Sequence, residues 1–289
     1  MPRLHWWGTV LYVPLLYGLG WLASRLLLLL APGLRPDQVD LAGVVMALLL
    51  LLLTLPLRLR RSWGEIHPWR RLGLLPLEEG LAPAETAFKL LQALLRGLLK
   101  AVLLLAALTV PLLLLGHARW RGELGSGELM NALALVLGVG FAEELLFRGW
   151  LLGELELVVG QRRALSFQAR IFAFVHPWYR LLDKADLPHG LSVIALVVGL
   201  ILLGTVLGLQ RRADGGLLWG AIGLHGGLVG GWFALEMGLL EISPDAPAWL
   251  VGPGAGSANP IGGVIGLAGL GALLWFRRRQ AAKPEQQAG

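Results

Sequence analysis

The residues best suited to chemistry are three charged side chains in a stretch otherwise apolar enough to cross a bilayer. Glu143, Glu144 and Arg148 lie within the sequence FAEELLFRGW. An ionised carboxylate in hydrocarbon is costly, so Glu and Arg inside a membrane usually face a partner or a water-filled cavity and mark functional sites. The stretch therefore predicts a site inside the membrane.

The spacing of the three charges separates them into a pair and a single carboxylate. Glu144 and Arg148 are four residues apart and share one helix face, where they can form an ion pair. Glu143 is rotated by about 100° and points elsewhere. A buried ion pair can also be purely structural and tie helices together. The charges alone leave both interpretations open.

Two histidines lie in other apolar segments, His176 in FAFVH and His225 in AIGLHGG. A buried histidine is often only a hydrogen-bonded packing residue, so its depth in the membrane is informative. At about 1.5 Å per helical residue, Glu143 lies roughly 18 Å from the inner end of its segment, and each histidine lies roughly 15 Å from its own. This common depth favours one shared site.

The segment that carries His225 is rich in glycine. On a helical wheel, His225, Val229 and Trp232 fall on one side, and the opposite side holds Gly220, Gly223, Gly227, Gly230 and Gly231. Small residues allow a neighbouring backbone to approach closely, so the glycine side is predicted to pack. His225 then faces something different, although it could also serve only a helix contact.

Composition places the chain in a membrane. Its 289 residues are 56% hydrophobic and 15% charged, and the mean hydropathy is +0.67. The net charge of +6 comes from short basic clusters between apolar runs, which is typical of membrane loops and gives no basic stripe for nucleic acid. The lipid bilayer is therefore the expected partner, and no nucleic acid is expected. The absence of cysteine excludes disulfides and thiolate chemistry.

Eight apolar stretches approach the 20 or so residues that span a bilayer, which predicts an all-α, polytopic integral membrane protein. They are Thr9–Leu30, Leu41–Leu57, Leu98–Leu115, Leu129–Leu155, Ser166–Tyr179, Leu191–Leu209, Gly215–Leu240 and Pro260–Phe276. With the N-terminus inside, the inner segments hold 18 Lys and Arg residues and the outer segments hold 5. This asymmetry predicts cytoplasmic N- and C-termini, and the expected location is a bacterial cell membrane.

The predicted organisation is one transmembrane helical domain over residues 1–276, with its motifs in 129–240, and a basic, disordered cytoplasmic tail over 277–289. The first apolar segment has no small-residue cleavage signature and is interpreted as a retained anchor. A helical run from Pro83 to Lys100 is expected to lie along the interface before the chain turns into the membrane. The outer loop Glu241–Pro260, rich in turn-forming residues, is predicted to be mobile.

The motifs resemble those of the CAAX-processing and bacteriocin-processing family of intramembrane proteases, also called the prenyl-protein endopeptidase or abortive-infection group. EELLFR at 143–148 fits the EExxxR signature, and FAFVH at 172–176 fits FxxxH. The third motif, HxxxN or HxxxD, is matched only at His225, because Val229 replaces the polar residue. The resemblance covers about Leu129 to Leu240.

This resemblance implies a helical endopeptidase with a conical active-site cavity inside the membrane and a peptide or membrane-protein tail as substrate. Glu143 would activate a water molecule as general base, and His176 would hold or polarise that water. His225 would stabilise the oxyanion. Site-ordering roles would fall to Glu144 and Arg148, together with Phe172.

The replacement at Val229 affects the oxyanion side of this implied site. One oxyanion hydrogen bond is commonly worth about 3 kcal/mol, so its loss lowers the rate roughly 100-fold or more. The indole N–H of Trp232, further along the same helix face, is an alternative donor. Otherwise His225 acts alone, or the protein binds substrates without cutting them.

No cofactor is expected, although Glu143, His176 and His225 could form a zinc set in principle. Zinc is disfavoured because the family is glutamate-dependent and HExxH is absent. Two other classes of function stay open. One is a protease-like membrane scaffold or immunity protein. The other is a transporter with Glu143 as proton carrier, which lacks the repeated halves common in such folds.

Overall fold

The chain is helical almost throughout in the computed structural model, which describes residues 6–31, 33, 36–176, 187–252 and 260–282. This confirms the predicted all-α class. The helices are α1 (Trp6–Leu30), α2 (Pro36–Arg58), α3 (Pro68–Arg71), α4 (Pro83–Leu114), α5 (Ser126–Glu144), α6 (Leu152–Val159), α7 (Gln161–Val175), α8 (Leu187–Ala213), α9 (Trp219–Ala234), α10 (Ala248–Val251) and α11 (Val264–Ala282).

Among the described residues, four helical segments are long and apolar enough to cross a membrane. They are Trp7–Leu30, Pro83–Leu114, Ser126–Val159 and Val193–Ala213. The remaining predicted spans, and so the count of eight, stay predictions. The fifth predicted span, Ser166–Tyr179, overlaps α7, and its last residues lie outside the described part of the chain.

The chain divides into two compact units, Met1–Arg71 and Leu72–Gly289. The single transmembrane domain over residues 1–276 stays a prediction. In the first unit, α1 packs on α2. The Tyr12 hydroxyl lies 2.8 Å from Thr54 Oγ1, and the Arg58 guanidinium lies 5.1 Å from the centroid of the Tyr12 ring. A π-helical turn, Leu59–Trp63, continues α2.

Helix α9 packs between α4 and α5 in the second unit, and its residues 220–228 and 230 are buried. A Cβ at Gly227 would lie 2.7 Å from Ala101 of α4. On the adjacent face of α9, a Cβ at Gly140 of α5 would lie 2.7 Å from the Gly226 Cα. The predicted glycine packing is therefore present, and it serves two neighbouring helices instead of one.

The charged motif lies in one continuous helical segment, Ser126–Val159. Its middle portion, Leu145–Leu151, is π-helical and buried throughout. Single π-turns inside α-helices occur frequently at functional sites. Glu144 directly precedes this π-helical portion, and Arg148 lies within it.

The sequence predicts an interfacial helix that ends at Lys100, followed by a turn into the membrane. This prediction is wrong. The structure has a single helix from Pro83 to Leu114, so no turn separates the two parts. Helix α4 begins with Pro83 at its N-terminus, and Glu85 caps the backbone N–H of Ala82. Proline near a helix N-terminus loses no intrahelical hydrogen bond, which favours a start at this point.

Two short strands, not predicted from the sequence, join distant parts of the second unit. β1 (Ala118–Trp120) pairs antiparallel with β2 (Leu240–Ile242). Arg119 Nη2 donates to Glu241 Oε2 over 2.6 Å, and this hydrogen bond lowers the pKa of the exposed Glu241 carboxyl. The outer loop predicted to be mobile thus begins in β2 and contains α10, and its residues 253–259 lie outside the described ranges.

Helix α8 packs against α7 and α11. The tail was predicted to begin at residue 277, whereas α11 continues to Ala282. Residues 283–289 lie outside the described part of the chain.

Candidate active site

Four helical elements carry the residues singled out by the motifs. Glu143 and Glu144 end α5, and Arg148 lies in the π-helical turn that follows. His176 caps the C-terminus of α7, and His225 lies in the middle of α9. Glycine contacts such as that of Gly140 with Gly226 let α5 and α9 approach each other closely, because these residues carry no Cβ atom.

The Glu143 carboxylate lies between the two histidines. Its Oε2 atom is 3.8 Å from His176 Nε2 and 3.9 Å from His225 Nε2. Among the described residues, this oxygen has no hydrogen-bond partner. Both separations exceed direct hydrogen-bond length, and polar groups at such distances are commonly bridged by one water molecule.

The Glu144 carboxylate forms the second part of the site. Its Oε1 atom accepts a hydrogen bond from Arg148 Nη1 over 2.6 Å and lies 2.8 Å from His225 Nδ1. The predicted pair between Glu144 and Arg148 is therefore present. The link to His225 was not predicted, although a carboxylate has about four acceptor positions and one guanidinium does not fill them.

The partners of the two imidazoles define their tautomers. His176 Nδ1 lies 2.7 Å from the carbonyl oxygen of Phe172, and His225 Nδ1 lies beside the Glu144 carboxylate. Because both partners are acceptors, each Nδ1 is assigned the proton and donates. The Nε2 atom of each ring then faces Glu143, as a base in neutral histidine and as a donor in the imidazolium.

Phe172, the first residue of the FxxxH motif, lies beside both histidines and Arg148. Its ring makes edge contacts with the rings of His176 and His225, at centroid distances of 4.5 and 5.7 Å. The Arg148 guanidinium carbon lies 4.1 Å from its centroid. A cation above an aromatic face is attracted by the ring quadrupole. Phe172 therefore contacts three polar side chains of the candidate site.

Burial separates the residues that can meet water or substrate from those that cannot. The side chains of Glu143 and His176 are 28% and 27% exposed, whereas those of Glu144 and Arg148 are fully buried. His225 is 4% exposed. Part of the Glu143 and His176 side chains is therefore accessible, although Glu143 Oε2 itself is buried, and Glu144 and Arg148 are closed to solvent.

Val229 and Trp232 follow His225 on α9 and are half-buried. The Val229 side chain has no hydrogen-bond donor, so it cannot replace the amide or carboxyl group of the third motif. Trp232 makes a polar or ring contact within the chain.

Gln168 of α7 is a buried polar residue outside the motifs, and its amide oxygen would lie 3.8 Å from a Cβ at Gly208 of α8. Its side chain is fully buried, and neither amide atom has a hydrogen-bond partner among the described residues. It precedes Phe172 by four residues, so these two residues lie on one face of α7. The four-residue spacing to Phe172 is the sequence feature that places Gln168 on the same face of α7 as the FxxxH motif.

The possible zinc ligands are Glu143, His176 and His225. Two tetrahedral zinc ligands at about 2.0–2.1 Å from the metal lie roughly 3.3 Å apart, which is closer than the separations from Glu143 to either histidine. Within the part of the chain that the structure describes, no group of three or more His, Cys, Asp or Glu fits a metal ion.

Fold and site together define a class: a helical integral membrane protein with a carboxylate and two histidines inside apolar helices. Residues 125–230 match the family model described as type II CAAX prenyl endopeptidase Rce1-like. The family resemblance is thereby confirmed over the stretch that carries the three motifs, and the match supports a protease-like function. Residues 1–67 match a domain of unknown function, DUF8676. Neither the curated proteins nor the solved structures give a match.

Proposed function

We propose that this protein is an intramembrane glutamate-type endopeptidase that hydrolyses a peptide bond with a water molecule activated by Glu143. The observation that carries the proposal is the position of Glu143 Oε2, within 4 Å of Nε2 of both His176 and His225. A partly exposed carboxylate between two imidazoles suits general acid–base catalysis.

In the proposed first step, one water molecule lies between Glu143 and His176. Glu143 removes a proton from this water, and the water oxygen attacks the carbonyl carbon of the scissile peptide bond. His176 orients the water by accepting its second hydrogen bond at Nε2, because His176 Nδ1 already donates to the Phe172 carbonyl. The product of this step is a tetrahedral intermediate with a negatively charged oxygen.

His225 stabilises that oxygen in the proposed mechanism. A donor at Nε2 requires the imidazolium form, because Nδ1 already donates to Glu144. The four ionised groups then balance, since Glu143 and Glu144 carry two negative charges and Arg148 and His225 carry two positive charges. Compensation of this kind lowers the cost of charge in a poorly hydrated site.

The intermediate collapses when the C–N bond breaks and Glu143 returns its proton to the leaving nitrogen. The products are a carboxylic acid and an amine, and Glu143 regains its initial state. No cofactor takes part in these steps. The proposed substrate is a peptide or a membrane-protein tail that enters from the cytoplasmic face, and both chain termini are assigned to that side by the distribution of Lys and Arg.

A peptide library incubated with detergent-purified protein tests the proposal, with the products identified by mass spectrometry. Glu143→Gln keeps the size and polarity of the side chain but removes the base, so the cleavage rate is expected to fall about 100- to 10,000-fold. The matched control is Glu128→Gln, in the first turn of the same helix, which should cleave like wild type. Full activity of a folded Glu143→Gln variant contradicts the mechanism.

A protease-like scaffold or immunity protein is the second candidate, and Val229 favours it because that side chain offers no oxyanion donor. In that case the protein binds a membrane partner without cutting it. Glu143→Gln would then leave the binding and the cellular phenotype intact. Binding that persists in this variant, with no product from the wild-type protein, separates the second candidate from the first.

A further inference from the structure

The backbone carbonyl of Arg148 lies where the helical bonding pattern of the charged motif changes. In the π-helical portion Leu145–Leu151, backbone hydrogen bonds span five residues, and the last of them joins the Leu152 N–H to the Phe147 carbonyl. Helix α6 then resumes bonds that span four residues. The change from five to four passes over one carbonyl, and that carbonyl belongs to Arg148.

Arg211 of α8 supplies a donor for this carbonyl from outside the helical segment. Its Nη1 donates to the Arg148 carbonyl oxygen, although 63 positions separate the two residues. Arg148 is fully buried, and a buried carbonyl without a donor costs about as much as a lost hydrogen bond. A charged donor also forms a stronger hydrogen bond than a neutral one. Arg211 therefore stabilises the π-helical portion at the residue where the bonding pattern changes.

The Arg211 side chain is also bound to the turn that follows α8. Its Nε donates to the Gly216 carbonyl over 3.1 Å, and the Gly216 N–H donates to the Arg211 carbonyl over 2.9 Å. The φ of Gly216 is 89°, a conformation that glycine adopts without a Cβ clash. The planar guanidinium thus connects two backbone carbonyls, and its rigid arrangement of donors fixes their relative positions.

A short segment before α4 packs between this turn and the π-helical portion. The Leu218 N–H donates to the Gly73 carbonyl over 2.9 Å, and a Cβ at Gly73 would collide with the Gly216 carbonyl. A Cβ at Gly149, in the π-helical portion, would lie 3.3 Å from the Leu72 carbonyl oxygen. The turn after α8 and the π-helical portion are therefore joined by packing as well as by Arg211.

The position of the Arg148 backbone affects the candidate active site through two hydrogen bonds. Arg148 Nη1 donates to Glu144 Oε1 over 2.6 Å, and the same oxygen lies 2.8 Å from His225 Nδ1. A displacement of Arg148 therefore moves the acceptor of the His225 imidazole. The contacts run from Arg211 through Arg148 and Glu144 to His225.

We infer that Arg211 is a positioning residue of the candidate active site and acts through the Arg148 backbone. It fixes the bonding pattern of the π-helical portion, and with it the direction of the ion pair between Glu144 and Arg148. The kinetic consequence rests on the proposed function, which the inference deepens. The structural consequence is the orientation of His225, which is measurable without peptide cleavage.

NMR of protein with isotopically labelled histidine tests the structural consequence. The chain has six histidines, and the Nδ1–H signal of His225 is assigned by its absence from His225→Asn. Arg211→Met keeps an apolar stem but removes every donor, so this signal should shift. The matched control is Arg212→Met, because Arg212 donates to Glu156 and to the Gln161 carbonyl, outside the π-helical portion. The control should leave the His225 signal unchanged.

Cleavage kinetics test the functional consequence. A small misplacement of catalytic groups costs up to about 100-fold in rate, so the kcat of Arg211→Met should fall about 10- to 100-fold. Arg211 does not touch the substrate in the proposed mechanism, so KM should stay at the wild-type value. Arg212→Met should keep both constants. A raised KM with an unchanged kcat would contradict the positioning role.

An unchanged His225 signal in folded Arg211→Met overturns the inference, and so does an equal shift in Arg212→Met. If the wild-type protein cleaves no peptide, the proposed function fails, while the His225 signal still decides the inference. If Arg211→Met does not fold, Arg211→Gln replaces it, because this shorter side chain does not reach the Arg148 carbonyl. The same shift is then expected, and its absence contradicts the inference.

Discussion

His225 Nδ1 lies 2.8 Å from Glu144 Oε1, although 81 positions separate the two residues along the chain. The same oxygen accepts a hydrogen bond from Arg148. Glu144 therefore binds two residues, Arg148 and His225, through one carboxylate oxygen. It holds the imidazole of α9 at a fixed orientation, with the Nε2 atom of that ring towards Glu143.

His176→Ala should reduce peptide cleavage to near background while the protein still inserts into the membrane. The variant removes the imidazole that accepts a hydrogen bond from the proposed water, and loss of a positioned proton-transfer partner commonly costs about 100- to 10,000-fold. Cleavage is measured with purified protein, and insertion is measured by membrane fractionation. A membrane-inserted variant that cleaves at the wild-type rate would exclude His176 from the reaction.

The ion pair of Glu144 and Arg148 should show strong coupling in a double-mutant cycle. Arg148→Met leaves a buried carboxylate that has lost its guanidinium, so we expect about 3–5 kcal/mol of destabilisation. Glu144→Gln/Arg148→Met removes both charges and should recover part of that loss. Thermal unfolding in detergent provides the measurement. Equal destabilisation of the single and the double variant would contradict a buried charged pair.

Val229→Asn should raise the cleavage rate if the protein is an endopeptidase with an incomplete oxyanion site. A new donor one turn after His225 can contribute up to about 3 kcal/mol to the transition state, equivalent to roughly 100-fold in rate. Val229→Leu is the matched control, because it offers no donor. A folded Val229→Asn variant without any gain over that control would show that this position does not contact the oxyanion.

Gly140→Ala should disturb the site from a distance by separating α5 from α9. The added Cβ would lie 2.7 Å from the Gly226 Cα, and such overpacking costs about 1–3 kcal/mol. Gly138→Ala is the control, because a Cβ at Gly138 has no atom within 4 Å and alanine favours a helix. Thermal unfolding and cleavage are compared for both variants. Equal stability of the two would mean that the close approach is not required.

Hydropathy and motif spacing were sufficient to predict the helical membrane class and the candidate residues of the site. These properties are local, since an apolar run of bilayer length must form its backbone hydrogen bonds within a helix. The spacing of Glu144 and Arg148 similarly determines their ion pair within one helix. The similar depth of Glu143, His176 and His225 in the membrane was enough to group them, because each helical residue adds a constant rise along the helix axis.

The contacts between helices depended on tertiary structure. The hydrogen bond between His225 and Glu144 depends on how α5 and α9 approach each other. The position of Phe172 beside Arg148 and His225 depends on how α7 packs against the π-helical turn and α9. Depth limits a side chain to one level of the membrane and leaves its direction around the helix axis open. That direction is determined by the close packing of α9 on α4 and α5. The glycines that permit this packing can be recognised in the sequence, whereas the residues they contact come from distant parts of the chain and cannot.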